Sequence, residues 1–190
     1  RANVQPGSTV VIMGMGPVGL MAVVAAKAFG ATKIIVSDLE KIRLDEALKL
    51  GATHAINIKE EDVATRINEI TKGKGVNYAF ETAGNPIALQ NALAALNNGG
   101  TLAIVGLPQQ ENIELNIPFI ANHEINIVGI FRYANTYDMG LEMLASTSAD
   151  LNTMFTDAYD LNEAKEAMEQ ARTNKSGSLK VMVYPNGKPE

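Results

Sequence analysis

The chain has 190 residues, of which 46% are apolar and 19% charged, with no cysteine and a formal net charge of −5. The lack of cysteine excludes disulfides and thiolate metal sites and fits a reducing cytoplasm. No basic run, no aromatic-rich basic patch and no stretch of about 20 apolar residues is present, which argues against nucleic acid and a membrane span as partners.

The opening residues, Arg1 to Gly7, do not read as a signal peptide, and the absent initiator methionine points to a fragment or a processed chain. Val10-Val11-Ile12-Met13 is a short apolar run that ends in Gly14-Met15-Gly16-Pro17-Val18-Gly19 and passes at once into an apolar helix pattern. This layout predicts a strand, a tight turn and a helix whose N-terminus receives a pyrophosphate. Gly14 permits the sharp exit from the strand. Gly16 lets a phosphate approach the main chain, and Gly19 lets the helix pack closely on the strand. The unpaired N–H groups and positive dipole end of the helix attract an anion, and Pro17 suits its first turn. Alone, such a loop is weak evidence, because an ordinary glycine turn has the same composition. The next strand, Lys33-Ile34-Ile35-Val36-Ser37-Asp38, strengthens it by ending on a carboxylate at the ~20-residue distance where a dinucleotide's ribose hydroxyls are held. Asp38 has a second reading, as a helix N-cap before Glu40 and Lys41. Its charge repels a 2′-phosphate and favours NAD over NADP, whereas Arg43 pulls the other way.

Residues 17–29 read as a nearly all-round apolar helix that stops at Gly30. A second helix, from about Glu40 to Leu50, stops at Gly51 with Leu44, Ala47 and Leu48 as its inner stripe. Thr53 to Asn57 is a third strand, and Glu61 to Lys72 an amphipathic helix with Val63, Ile67 and Ile70 inward. Val76 to Thr82 is strand-like with Val76, Tyr78 and Phe80 on one face. Asn85 and Pro86 open a helix to about Leu96 that ends in Asn97-Asn98-Gly99-Gly100, and Thr101 to Gly106 is a strand. Ile113 to Ile117 alternates like a strand, and Ile125 to Phe131 is the sixth strand of the series. Helices follow over about Thr136 to Ala145 and from Asp160, where Asp160 and Glu163 resemble a capping box and Leu161, Ala164, Met168 and Ala171 form a stripe. Ser178 to Tyr184 reads as a last strand, with Asn186 to Pro189 as a tail. The alternation predicts an α/β fold, a Rossmann-type doubly wound parallel sheet of six strands with helices on both faces and strand order 3-2-1-4-5-6. A ligand would cross the carboxyl ends of the strands at the switch between strands 1 and 4.

The Gly14–Gly19 loop, together with Ser37-Asp38, Gly99-Gly100-Thr101, Val105-Gly106-Leu107 and Phe131-Arg132-Tyr133-Ala134-Asn135-Thr136-Tyr137, resembles the coenzyme domain of zinc-dependent medium-chain alcohol dehydrogenases. The branch it resembles most is that of the sorbitol, xylitol and other polyol dehydrogenases. The glycine loop is common to the wider superfamily, whereas the Phe131–Thr136 run is much narrower. The resemblance covers essentially the whole chain and divides it into an NAD-binding domain, 1–174, and a segment, 175–190, that returns toward a catalytic domain. It implies that Gly14, Gly16, Pro17, Val18 and Gly19 hold the pyrophosphate of NAD, with Val18 also near the nicotinamide. It places Asp38 on the adenosine ribose and Arg43 along the adenine. Val105, Gly106, Leu107, Ile130 and Phe131 would line the nicotinamide pocket. Arg132, beside the cofactor, and Tyr133 would touch the substrate's hydroxyls or a zinc-bound water.

In the family the catalytic zinc is held by Cys, His and Glu ligands of a preceding domain. With no cysteine and two histidines, His54 and His123, this chain cannot build that site, so no catalytic residue and no metal ligand is assigned within it. The expectation is a cytoplasmic NAD-binding part of an enzyme that oxidises a polyol's secondary alcohol to a ketose, inactive by itself. Its last strand would lie loose or pair elsewhere. A homodimer or homotetramer is expected through Ile113–Ile117 and the sixth strand, because an uncovered strand edge seeks a partner. Two other functions stay open, a stand-alone regulatory NAD-binding module and an S-adenosylmethionine enzyme, the latter disfavoured by the Gly-Pro-Val-Gly helix start. Glu81, at the switch point, either faces the cofactor or caps locally. His54 and His123 read as structural or exposed, and Met13, Met15 and Met21 as packing residues.

Overall fold

The computed structural model describes residues 1–174 and 176–188, so Lys175, Pro189 (the last residue of the predicted tail) and Glu190 lie outside the described residues. Strands β1 (Thr9–Met13), β2 (Lys33–Asp38), β3 (His54–Asn57), β4 (Val76–Glu81), β5 (Leu96–Ile104) and β6 (Asn126–Gly129) form one parallel sheet in the order β3-β2-β1-β4-β5-β6. This is the predicted doubly wound α/β architecture. Helices α1 (Pro17–Ala28), α2 (Lys41–Leu50), α3 (Val63–Thr71) and α4 (Pro86–Ala94) alternate with the strands. Successive residues of β1 go to opposite layers, as a period-two strand must when both faces are covered. Val10 and Ile12 pack with Leu20 and Val23 of α1 and Leu44 and Ala47 of α2. Val11 and Met13 pack with Val63 and Ile67 of α3 and Leu89 and Leu93 of α4. Asn85 caps α4 as expected, its Oδ1 accepting from the Ile87 and Ala88 N–H groups at 2.9 and 3.2 Å.

Several local expectations are corrected. Leu48 is exposed, and Leu50 and Glu46 are buried instead, because the structure packs a segment against this face of α2. That segment is a 3-10 turn, Leu151–Met154, whose Thr153 hydroxyl donates to the Glu46 carboxylate while Met154 enters the core. Val76 does not share a face with Tyr78 and Phe80. A register shift between Val76 and Tyr78 against β5 reverses the alternation, so Val76 joins the α3–α4 layer and the two aromatics the other. The fifth strand begins at Leu96, which places Asn97–Gly100 inside it, and the Gly99 N–H donates to the His123 carbonyl at 2.7 Å. Ile113–Ile117 is not a strand. Asn116 caps a short helix α5 (Ile117–Asn122), accepting from the Phe119 N–H at 2.9 Å, while Ile113 and Leu115 rest on the core. The sheet therefore ends at β3 on one side and, on the side where the pairing edge is expected, at β6 alone, which is shorter than predicted.

Helix α6 (Tyr137–Ser146) lies where expected. A strand that the sequence does not announce, β7 (Phe155–Asp160), pairs in parallel with β8 (Lys180–Tyr184), so of the two expected outcomes the last strand takes the second and pairs away from the main sheet. Between them, Glu163 accepts from the Asp160 N–H at 2.9 Å, as in the predicted box, and a 3-10 turn, Leu161–Glu163, leads into α7 (Ala164–Thr173). The stripe of α7 is rotated from expectation. Ala167 is buried, whereas Leu161 and Met168 are exposed. Gln170 on the inner face reaches Asp157 instead of an apolar core. Among the described residues, no helix is long and apolar enough to cross a membrane.

Asp157 ties this small unit together. Burial works to raise its pKa. The Ser178 hydroxyl at 2.6 Å, the Thr156 hydroxyl at 2.6 Å and the Gln170 amide at 2.8 Å more than offset that, so the carboxyl lies below the usual range. A group with a depressed folded-state pKa contributes stability that is complete above its unfolded value, about 4, and is lost as pH falls through the folded value. Hydrogen exchange, corrected for its intrinsic pH dependence, should show β7 and β8 losing protection below about pH 4. Ser178→Ala should move that loss to higher pH; an unchanged profile in this variant would remove Asp157 as the cause.

Candidate functional site

The carboxyl ends of β1, β2, β4 and β5 meet where the strand order reverses, the place at which open α/β sheets bind ligands. Leaving β1, the chain turns at Gly14, whose φ of +94° suits glycine, and its N–H continues the ladder to the Ser37 carbonyl at 2.8 Å. Thr82, just past β4, donates to the Gly14 carbonyl at 2.7 Å and the Met13 carbonyl at 2.9 Å. A Cβ on Gly19 would overlap the Gly14 carbonyl oxygen, so only glycine lets α1 sit this close to the loop. Gly16 is different. It is the N-cap of α1, it offers no capping side chain, and a Cβ there would meet nothing within 4 Å. The first turn of α1 begins with Pro17 and holds no acidic residue, so its free N–H groups face an open cradle that suits an anion. Val18 is exposed beside it.

Asp38 closes the cradle on the β2 side. Its Oδ2 accepts from the Met15 N–H at 2.6 Å and its Oδ1 from the Glu40 N–H at 2.9 Å, and the residue is 9% exposed. Glu40, not Asp38, is the N-cap of α2, so the alternative reading is correct only in that Asp38 steadies the entry to that helix. A carboxylate has about four lone-pair sites, and two remain for hydroxyl donors. Arg43, on the first turn of α2, is half-buried, with its Nε buried and without a partner. Lys59 holds Glu40 at 3.0 Å nearby.

On the other side, β5 ends and Val105-Gly106-Leu107 follow, with Val105 and Gly106 half-buried and Leu107 exposed. Ile130 continues the β5–β6 ladder by donating to the Ile104 carbonyl at 2.9 Å. Beyond it, Phe131 and Tyr133 are exposed, and Arg132 takes a left-handed φ of +52° with its guanidinium 5.0 Å from the Phe131 ring. Tyr133 meets the Tyr137 ring edge-on at 5.0 Å. The structure thus brings Gly14–Gly19, Asp38 and Val105–Leu107 to one rim. It leaves Phe131–Tyr133 at the β6 edge, three strands from the glycine loop. Residues the reading missed are Thr82 and Gly84, whose signal was their position directly after a strand at the switch point.

Two features stand apart from this rim. A cleft of ≈ 520 Å³ between α3, α4 and the start of β5, lined by Asn68, Lys74, Asn91 and His123 among others, opens at the opposite end of the strands. His123 stacks on Phe119 at 4.0 Å, and the pKa of His54 is lowered by burial first and by Lys33 and Arg66 next. Among the described residues no three His, Cys, Asp or Glu side chains converge, so the residues present do not fit a zinc ion.

Comparison with known proteins gives a consistent result. The family described as zinc-binding dehydrogenase matches residues 17–146. The chain is 61% identical over 186 residues to sorbitol dehydrogenase of Bacillus subtilis (strain 168), covering 98% of this chain and 53% of that protein. It is 36% identical to sorbitol dehydrogenase of Bos taurus, covering 96% of this chain and 51% of that one. Among solved structures, an oxidoreductase of unknown specificity from Escherichia coli superposes with a TM-score of 0.90 at 36% identity, covering 96% of this chain and 53% of that one. The 2R,3R-butanediol dehydrogenase of Bacillus subtilis gives 0.87 at 29% identity, covering 97% and 53%. The chain therefore spans about half the length of the relatives it matches.

Proposed function

The chain belongs to the zinc-binding dehydrogenase family of oxidoreductases, and on that premise we propose that its switch-point rim holds NAD. The observation that carries this reading is the open space before Gly16, framed by the first-turn amides of α1 and by the Asp38 carboxylate. The pyrophosphate would rest at Gly14, Gly16, Pro17, Val18 and Gly19. Asp38 would accept the adenosine ribose hydroxyls, and the unpartnered Arg43 Nε marks the adenine side. Val105, Gly106, Leu107, Ile130 and Phe131 would cover the nicotinamide and exclude water. When bound, NAD supplies the hydride acceptor. Arg132 and Tyr133 would orient the substrate's hydroxyls.

For the whole enzyme we propose oxidation of a polyol's secondary alcohol to a ketose, supported by the similarity to proteins named sorbitol dehydrogenase. We assign the zinc to a separate catalytic domain, since the residues here do not fit it, and the segment 175–190 to the approach toward that domain. The location proposed is cytoplasmic, and the assembly a homodimer or homotetramer through the β6 edge, where Ile127 is exposed. Sedimentation showing monomer alone at high concentration would remove the assembly. Calorimetric titration tests the main reading. NADH should bind saturably, NADP more weakly and S-adenosylmethionine not at all. A folded protein that ignores NADH would overturn it.

A further inference from the structure

We propose that Glu81 is a positioning residue for the nicotinamide half of the cofactor, because this one residue holds both turns that leave β4 and β5; the inference rests on the NAD reading above. Glu81 ends β4, opposite Met13 of β1 and Ile104 of β5, and is 1% exposed. A buried carboxylate must be hydrogen-bonded to persist. Its Oε1 accepts from the Ala83 N–H at 2.8 Å and the Asn85 N–H at 3.4 Å. Its main-chain carbonyl accepts from both the Val105 and Gly106 N–H groups at 2.9 Å.

The two turns also touch directly. A Cβ on Gly106 would lie 2.6 Å from Glu81 Oε2 and would overlap the Gly84 nitrogen, and a Cβ on Gly84 would lie 2.7 Å from the Leu107 carbonyl. Val105–Leu107 therefore rests main chain on main chain against Ala83–Asn85, with the Glu81 carboxylate as the anchor beneath. The phosphate and ribose half hangs on other groups, namely Gly16, Gly19, Thr82 and Asp38. A change at Glu81 should then separate the two halves of the ligand, which a general loss of folding would not do.

The test compares NADH with ADP-ribose, which lacks the nicotinamide, by calorimetry on the wild type, Glu81→Gln and Gly106→Ala. Glu81→Gln keeps the size but turns one acceptor into a donor facing amide donors. Gly106→Ala pushes the same loop from the other side with the carboxylate intact. NADH should bind about tenfold more weakly, the scale of one charge-assisted hydrogen bond, while ADP-ribose stays within about twofold. The fluorescence change of NADH on binding should fall in step with its affinity. If the wild type binds both ligands and neither variant separates them, the role of Glu81 is overturned while the NAD reading stands. If the wild type binds neither, the NAD reading falls and this inference with it.

Discussion

Replacing Asp38 by alanine is expected to weaken NAD binding by roughly 10- to 100-fold while weakening NADP far less. A hydrogen bond to a charged group contributes about 1.5–3 kcal/mol, and about 1.4 kcal/mol is a factor of ten. The carboxylate is the group that would accept the ribose hydroxyls of NAD, whereas with NADP it faces a 2′-phosphate of its own sign, so its removal costs NADP little. The structure adds a second consequence. Asp38 also accepts from the Met15 and Glu40 N–H groups. Alanine would leave the Met15 amide unpaired beside the core, at a cost of about 1–3 kcal/mol in stability. Asp38→Asn separates the two effects, because its amide oxygen can still accept from Met15 while the charge is gone. Calorimetry with both cofactors, alongside urea unfolding, reads both quantities. Equal losses for NAD and NADP would refute the ribose role.

The pair Gly16→Ala and Gly19→Ala should act in opposite ways. Gly16 has φ −67° and ψ 179°, a conformation open to alanine, and its added Cβ would touch nothing in the protein. Stability should stay within about 0.5 kcal/mol, as for an unconstrained surface change. Cofactor affinity should nevertheless drop by about tenfold or more, since the methyl would occupy the phosphate's place at the main chain. At Gly19 the Cβ would overlap the Gly14 carbonyl, which is main chain held by Thr82 and cannot swing aside. Helix α1 must then lift from the sheet, with a loss of about 3 kcal/mol or more together with binding. Thermal unfolding and NADH titration distinguish the two. A Gly16→Ala protein that binds NADH as tightly as the wild type would place the pyrophosphate elsewhere.

The order of the sheet, the run of helices and the backbone need for glycine at positions 14 and 19 were legible in the residues because each depends on local pattern. Alternation marks a strand and a 3.6 period marks a helix. A glycine loop followed by an apolar helix start marks a tight strand-to-helix turn, and the carboxylate closing the next strand makes it a candidate phosphate turn. Even Asp38 could be found by counting from that loop to the next strand end. Other features depended on which distant segments came to lie together. Two backbone amides, one of them in the glycine loop itself, share the Asp38 carboxylate with its prospective ligand, and only the docking of that loop against β2 shows this. Glu81 reads equally well as a cofactor contact or a local cap; the closeness of the β4 and β5 turns makes it the anchor of both. Val76 changed faces because a register shift against β5 reversed its alternation, and Leu48 stayed in solvent because the turn holding Thr153 covered the other side of α2. Ile113 and Leu115 found cover on the core, so their alternation needed no strand partner, and β8 found β7, a strand too polar in pattern to announce itself. A chain's own periodicity dictates which face of an element is apolar. Which neighbour buries that face, and which polar group is drawn in with it, is settled only when the elements pack.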